Sequence, residues 1–347
     1  MSSDVHEQIR AVVDRMCVTA ADRQTATAGL DDGLWSDLVD TGFTLLGVPV
    51  EVGGSGGDLG DLAVVVEAVA RHTAAVPIAE TAFVAGWLLG RCGLEVPDTG
   101  PLTATPDVLV TDPGGETVSG ETMTPWARHA GHLVAVVDRG GERLVGAFPL
   151  QGPQAPMLLP GANLAGEPRD TLVFEGCPLP LLVAACPADV GSTSVLQRGA
   201  LARAIQLGGA AQAVLAMSLR HSSEREQFGR PLIRFPAVQH MLAALAGEVM
   251  RMQTSASVAV RAVQAGSDSA PLAVAAAKAA TSAAAATVAG LGHQIHGAFG
   301  YTLEHRLGRA TTRLWSWRDD FGAESVWEDN LADLVLADQS WWAALTR

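Results

Sequence analysis

Two short runs carry side chains suited to a ligand that is part phosphate and part apolar. The first is SSEREQFGRPLIRFPAVQHMLA, residues 222–243. Its Arg225 can fork onto a pyrophosphate, because a planar guanidinium meets phosphate oxygens two at a time. Phe228 can cover an apolar ligand face, and Gly229 lets the chain turn immediately afterwards. The second run is QIHGAFGY, residues 294–301. Gly297 and Gly300 permit close backbone approach, and Gln294 offers an amide for pairing. Taken singly, each has a plainer reading: a surface ion pair for Arg225, a core position for Phe228, a helix-end turn for QIHGAFGY. A group that could move a proton is harder to find. The stretch DDFGAES, residues 319–325, holds Asp319, Asp320 and Glu324. Carboxylates at a helix start are usually caps or dipole partners.

The composition narrows the classes of partner. Of 347 residues, 48% are hydrophobic and 17% charged, which suits a globular protein with much buried helix. The formal net charge of −14 argues against nucleic acid and anionic membrane. It leaves room for a phosphate-bearing ligand held by a few local arginines. Cys17, Cys92, Cys177 and Cys186 form no CxxC pair, and no histidine cluster has metal-ligand spacing. They read as idle thiols in a reducing, cytoplasmic setting, consistent with an N-terminus that shows no apolar leader. The Ala-rich run around Lys278 reads as a packed bundle helix and not as a membrane span.

The positioning elements follow from periodicity. Helices are expected over residues 4–22, 31–41, 58–72 and 79–93, with GVPVEVGGSGG (47–57) as a Gly-rich loop. From Pro101 to about residue 187, Pro and Gly punctuate short β-branched runs: DVLVT, HLVAVV, RLVGAFPL and TLVFEG. Beyond Ser192 the chain becomes Ala/Leu-rich, with helices expected over 194–222, 235–265 and 270–291, a short one after Gly292, and one over 322–345. The fold class is therefore α+β, with a helical domain over residues 1–100, a small β-domain over 101–188 and a helical bundle of four packed helices over 189–347.

That order, with LGVPVEVGGSGGDLGDLAVVVEAVAR and PIAETAFVAGWLL near the start and the two runs above, resembles the acyl-CoA dehydrogenase family. Residues 222–243 are similar to its Arg-x-x-Phe-Gly element, and residues 294–313 to its Gln-x-x-Gly-Gly-x-Gly-Tyr element. The resemblance implies FAD as cofactor, with Arg225, Gln227, Phe228, Gln294, Gly297 and Ala298 as contacts. It implies an acyl-CoA thioester as substrate and an electron-transfer flavoprotein as acceptor. A carboxylate takes the α-proton while the β-hydrogen leaves as hydride to the flavin.

The chain departs from that pattern where the chemistry sits. The family's polar flavin-lining run in the β-domain is missing. TDPGGE (111–116) reads as a β-turn, and PLTATP (101–106) is the remnant. The two family positions for the catalytic glutamate fall on Phe321 and Gly199, neither of which titrates. Asp319, Asp320 and Glu324 lie near the first of these, and Asp320 and Glu324 are the candidates to substitute. In family homotetramers one subunit supplies the β-domain and base, and its neighbour supplies the two motifs around the pyrophosphate. This chain keeps the second set and lacks the first. The resemblance therefore extends to the degenerate subunit of actinobacterial heterotetrameric dehydrogenases, which act on steroid-CoA side chains with a homologous, catalytically complete chain. Two other readings stay open: an active homo-oligomer with a displaced base, and a binding or biosynthetic protein on the same fold.

Overall fold

A computed structural model describes residues 2–23, 29–98, 100–302 and 305–337. Internal contacts divide the chain into two compact units. One comprises Met1–Val65 and Ala75–Gly199, the other Val66–Ala74 and Ala200–Arg347.

The first unit opens with α1 (Ser2–Arg23) and α2 (Asp32–Asp40). Asp31 caps α2 by accepting the Leu34 N–H at 3.0 Å, and the helix buries Leu34, Trp35 and Leu38. The next helix, α3 (Leu59–Arg71), begins with a reciprocal cap. The Asp58 N–H donates to the Asp61 carboxylate at 3.1 Å and the Asp61 N–H to the Asp58 carboxylate at 2.9 Å. Before it lies the Gly-rich loop, where a Cβ on Gly54 would sit 2.2 Å from the Val48 carbonyl oxygen.

Residues 79–93, expected as one helix, differ. Ala79–Gly86 form a π-helical segment, followed by the short α4 (Trp87–Arg91). The cause is local. The Thr81 hydroxyl bonds both the carbonyl and the N–H of Leu102, at 2.9 and 3.1 Å. The Phe83 carbonyl accepts from Arg198 Nε at 2.9 Å, so the wider turn has outside partners for its backbone.

The β-rich region forms one seven-stranded sheet. Its strands are β1 (Leu102–Thr111), β2 (Thr117–Pro125), β3 (His132–Arg139), β4 (Glu142–Pro149), β5 (Met157–Leu159), β6 (Arg169–Pro178) and β7 (Val183–Ala185). The order is β5-β6-β2-β1-β3-β4-β7, with β1 and β3 parallel and the other pairs antiparallel. Along β3 and β4, Leu133, Ala135, Val137 and Phe148 pack with Leu172 and Phe174. Val134, Val136, Val145 and Ala147 face the other way and pack against Val84, Leu88 and Leu89. Both faces of these strands are covered, which is why HLVAVV reads as a continuous apolar run. TDPGGE is the β1–β2 turn. Asp112 accepts the N–H groups of Glu116 and Thr117, with Gly115 at φ 74°. In PLTATP the hydroxyls turn inward. Buried Thr103 donates to the Pro125 carbonyl at 2.5 Å, and buried Thr105 lies 2.8 Å from the Thr122 hydroxyl. The protein itself consumes these groups.

The four cysteines are free thiols. Burial, with the neighbouring Cys186, pushes the Cys92 thiol up to about 12, far from reactive.

The second unit is helical. Its long members are α5 (Ser192–Glu224), α6 (Pro236–Gln264) and α7 (Ala270–His296), followed by α8 (Leu307–Trp317) and α9 (Glu324–Ala337). Their core joins Leu207, Val214, Leu245, Met252, Val288, Leu314 and Trp317. The expected break at Gly292 does not occur, and α7 runs through to His296. Gly292 is there for close packing, since a Cβ would lie 2.6 Å from Val214 Cγ1. The separate short helix expected after it is instead a 3-10 turn, Gly297–Tyr301, followed by α8. The expected 322–345 helix is α9 as far as Ala337, and its remainder lies outside the described residues. Helices over 192–224 and 270–301 are long and apolar enough to cross a bilayer, yet most of their apolar window is buried inside the protein. That matches core helices.

Candidate cofactor site

The end of α5 and the end of α7 form one groove of about 640 Å³ in the helical unit. His221, Glu224, Arg225, Gln294, His296 and the backbone from Gly297 to Phe299 line it. Arg225 is fixed by its backbone. Its N–H donates to the His221 carbonyl at 2.9 Å, and its carbonyl accepts the Leu232 N–H at 2.8 Å. These bonds close a small hairpin, β8 (Glu226–Gln227) and β9 (Arg230–Pro231). Phe228 and Gly229 make its turn with φ 53° and 76°, the left-handed pair that a two-residue hairpin demands. The Arg225 guanidinium makes no ion pair among the described residues, which leaves its fork for a ligand.

Four of the six residues suggested as cofactor contacts thus meet on one surface: Arg225, Gln294, Gly297 and Ala298. Gln227 and Phe228 do not line it. The Gln227 amide donates to the Glu226 carbonyl at 2.8 Å. Phe228 is 93% exposed and packs edge-on to Phe235, their centroids 6.2 Å apart. Both stand on the hairpin beyond the groove.

Gly297 ends α7 at φ 61° and ψ −149°, and its N–H donates to the His293 carbonyl. Only glycine adopts that conformation freely. A Cβ there would meet no atom within 4 Å, so the space beside this backbone is open. Gly297→Ala is expected to cost about 1–3 kcal/mol of stability from backbone strain alone, with no steric clash. Chemical denaturation of the variant measures it.

The groove also gathers histidines that sequence spacing did not flag as a group. His221 stacks on His296 with ring centroids 4.6 Å apart. His305 meets His296 edge-on at 4.9 Å, and His293 stacks on Tyr301 at 4.3 Å. His296 is 4% exposed, its Nδ1 2.8 Å from the Gly292 carbonyl. That contact places the ring proton on Nδ1 and leaves Nε2, which has no partner among the described residues, as an acceptor. Burial, above all, pulls His296 down to about 4 and lowers His221, His293 and His305 as well. The sequence signal was HQIH, two histidines one helical turn apart at the end of an apolar helix.

The positions expected for a catalytic base are filled otherwise. Gly199 is a buried residue of α5. Phe321 lies at φ 54°, with the Arg203 guanidinium over its ring at 5.4 Å. Asp320 pairs with buried Arg203, Nε to Oδ2 at 3.0 Å, and Arg203 also donates to Gln206. Glu324 opens α9 and pairs with Arg318 at 3.3 Å. Lys278, fully buried in α7, donates to the Ser282 hydroxyl at 3.0 Å and to the carbonyls of Arg318 and Gly322 at 2.6 and 2.8 Å. The Trp327 indole N–H donates to the Phe321 carbonyl at 2.9 Å. A turn tied at so many points presents carboxylates that are already engaged in ion pairs with Arg203 and Arg318.

Sequence comparison places these features in a family. Residues 2–95 match the acyl-CoA dehydrogenase N-terminal domain, and residues 191–324 match the C-terminal domain. Acyl-CoA dehydrogenase IpdE2 of Mycobacterium tuberculosis is 28% identical over 320 residues, covering 87% of each chain. FadE34 of the same organism is 27% identical over 323 residues, which is 87% of this chain and 44% of that longer one. Among solved structures, a Tcur3481-Tcur3483 steroid ACAD variant superposes with a TM-score of 0.86 at 23% identity, covering 97% of this chain and 99% of that one. The ChsE4-ChsE5 complex from Mycobacterium tuberculosis gives a TM-score of 0.85 at 20% identity over 97% and 98%. Matched domains at both ends, full-length relatives and a shared fold leave no ambiguity of class: the chain belongs to the acyl-CoA dehydrogenase family, FAD-dependent oxidoreductases that act on acyl-CoA thioesters.

Proposed function

We propose that this chain is the non-catalytic subunit of a heteromeric acyl-CoA dehydrogenase. In this reading its groove grips the pyrophosphate and adenosine of an FAD whose flavin ring lies on a homologous, catalytically complete partner. The observation that carries it is a contrast within one helical unit. Arg225 lines an open groove with Gln294 and Gly297, while the family's base position is Phe321 and the candidate substitutes Asp320 and Glu324 are tied in ion pairs.

The residues fit that half of FAD. Arg225 supplies a fork for the pyrophosphate, and Gly297 supplies backbone that a phosphate or ribose can approach closely. When bound, the flavin accepts the substrate's β-hydrogen as hydride. Nothing in this chain then has to take the α-proton, and its part is to hold and orient the cofactor. The inward-turned threonines of PLTATP agree with a β-domain that does not face a flavin of its own. Two of the solved structures similar in fold are of paired chains, Tcur3481-Tcur3483 and ChsE4-ChsE5, the first a steroid ACAD. A steroid-CoA side chain is accordingly the substrate class proposed for the assembly, with an electron-transfer flavoprotein as acceptor.

The displaced-base alternative is tested by Asp320→Asn and Glu324→Gln in the assembled enzyme. Turnover and α-proton exchange are expected to persist in both. Loss of exchange with FAD retained would assign the base to this chain and contradict the proposal. Asp320→Asn also takes one carboxylate away from buried Arg203, so its thermal midpoint is expected to fall while its activity at low temperature holds.

A further inference from the structure

The stacked pair His221–His296 sits in the same groove as Arg225 without any role in the reading above. We propose that His221 is a further ligand-binding residue, taking up a proton when a pyrophosphate diester enters and so becoming the second cation of the site. This rests on the groove being the pyrophosphate half of an FAD site.

The geometry separates the two rings. His296 is committed, with Nδ1 at the Gly292 carbonyl, and burial holds it down to about 4. His221 is only half-buried and lines the groove. One of its faces lies on His296 at 4.6 Å, and its ring is nearly parallel to Phe299 at 6.3 Å and 15°.

Several groups together hold the His221 imidazole below its ordinary range. Burial comes first, then His305 from the segment before α8 and Arg225 at the end of α5. Glu224 opposes them. Further out, Arg220 acts on His305, and His293 lies along α7 from His296. A pyrophosphate placed on Arg225 changes that balance, because it cancels the positive field that disfavours a second cation and offers an acceptor to its N–H. The sign is fixed by linkage. A ligand that raises the affinity for a proton binds more tightly as pH falls, by up to about tenfold per pH unit for one proton.

The test uses the full chain with its histidine rings isotope-labelled and ADP-ribose as probe, whose pyrophosphate diester does not itself titrate near neutrality. NMR pH titrations are run with and without millimolar ADP-ribose, and His221→Gln assigns the resonance. The His221 midpoint is expected to move up by about one pH unit on binding. ADP-ribose is expected to bind His221→Gln with an affinity that no longer strengthens between pH 8 and about 6. Groove resonances that respond to ADP-ribose while the His221 midpoint stays fixed would overturn this inference alone. The same holds if His221→Gln keeps the full pH dependence. Groove resonances that do not respond at any pH, in the chain alone or assembled with a homologous partner, would overturn the reading of the groove itself, and this inference with it.

Discussion

In an assembled complex, Arg225→Gln is expected to weaken FAD retention by about 3 kcal/mol, roughly a hundredfold or more, while leaving the fold intact. The size follows from what is lost. A charged, two-pronged contact to pyrophosphate becomes at most one neutral amide contact. The fold survives because the hairpin is closed by the backbone of Arg225 and not by its guanidinium, through His221 on one side and Leu232 on the other. Arg225→Lys tests the geometry. It keeps the charge but not the fork, so an intermediate loss is expected. Flavin released on desalting, read by absorbance, measures all three proteins. Full retention in Arg225→Gln would show that the groove does not hold the pyrophosphate.

The second large effect concerns Lys278 and stability. Burial pulls its ammonium down to about 7 from an ordinary 10.5, with Asp320 opposing and Arg203 reinforcing the fall. A depressed lysine means that the unfolded chain binds the proton more tightly than the folded one. The penalty is fully present below about pH 7 and is relieved as pH rises toward 10.5. Stability is therefore expected to increase by about 1 kcal/mol per pH unit from pH 7 upward. Above the ordinary thiol range, raised Cys92 works the other way, because its folded form keeps a proton the unfolded form gives up. The clean window is thus between 7, where Lys278 begins to lose its proton, and 9, the ordinary thiol value. Urea unfolding across that window should show the rise, and Lys278→Met should abolish the slope. A slope that persists in Lys278→Met would assign it to another group.

The sequence made the helical order and the strand-rich middle plain because these depend on period and punctuation. HLVAVV and RLVGAFPL became β3 and β4, and the Ala-rich stretch became α7. What it hid were effects of tertiary contact. Gly292 reads as a helix end, yet the space it vacates belongs to Val214. Residues 79–93 read as one helix until Thr81 and the Phe83 carbonyl find partners far along the chain. The parallel pairing of β1 with β3 cannot be read from strands joined through β2. At the site, Arg225 and Gln294 were legible as types, and that they line one groove is a fact of packing. Phe228 shows the limit, because its side chain stands on the turn that its own left-handed backbone creates. The histidines at 221 and 305 lie too far from HQIH in sequence to be grouped with it.

These features converge on a division of labour between chains, and one measurement bears on it most directly. The chain is purified alone and after coexpression with an acyl-CoA dehydrogenase homologue encoded beside it, and flavin content and acyl-CoA oxidation are measured on both. The account predicts little flavin and no turnover from the chain alone, and a yellow, active complex with one FAD for each pair of chains. Full FAD occupancy with turnover from the single purified chain would contradict it.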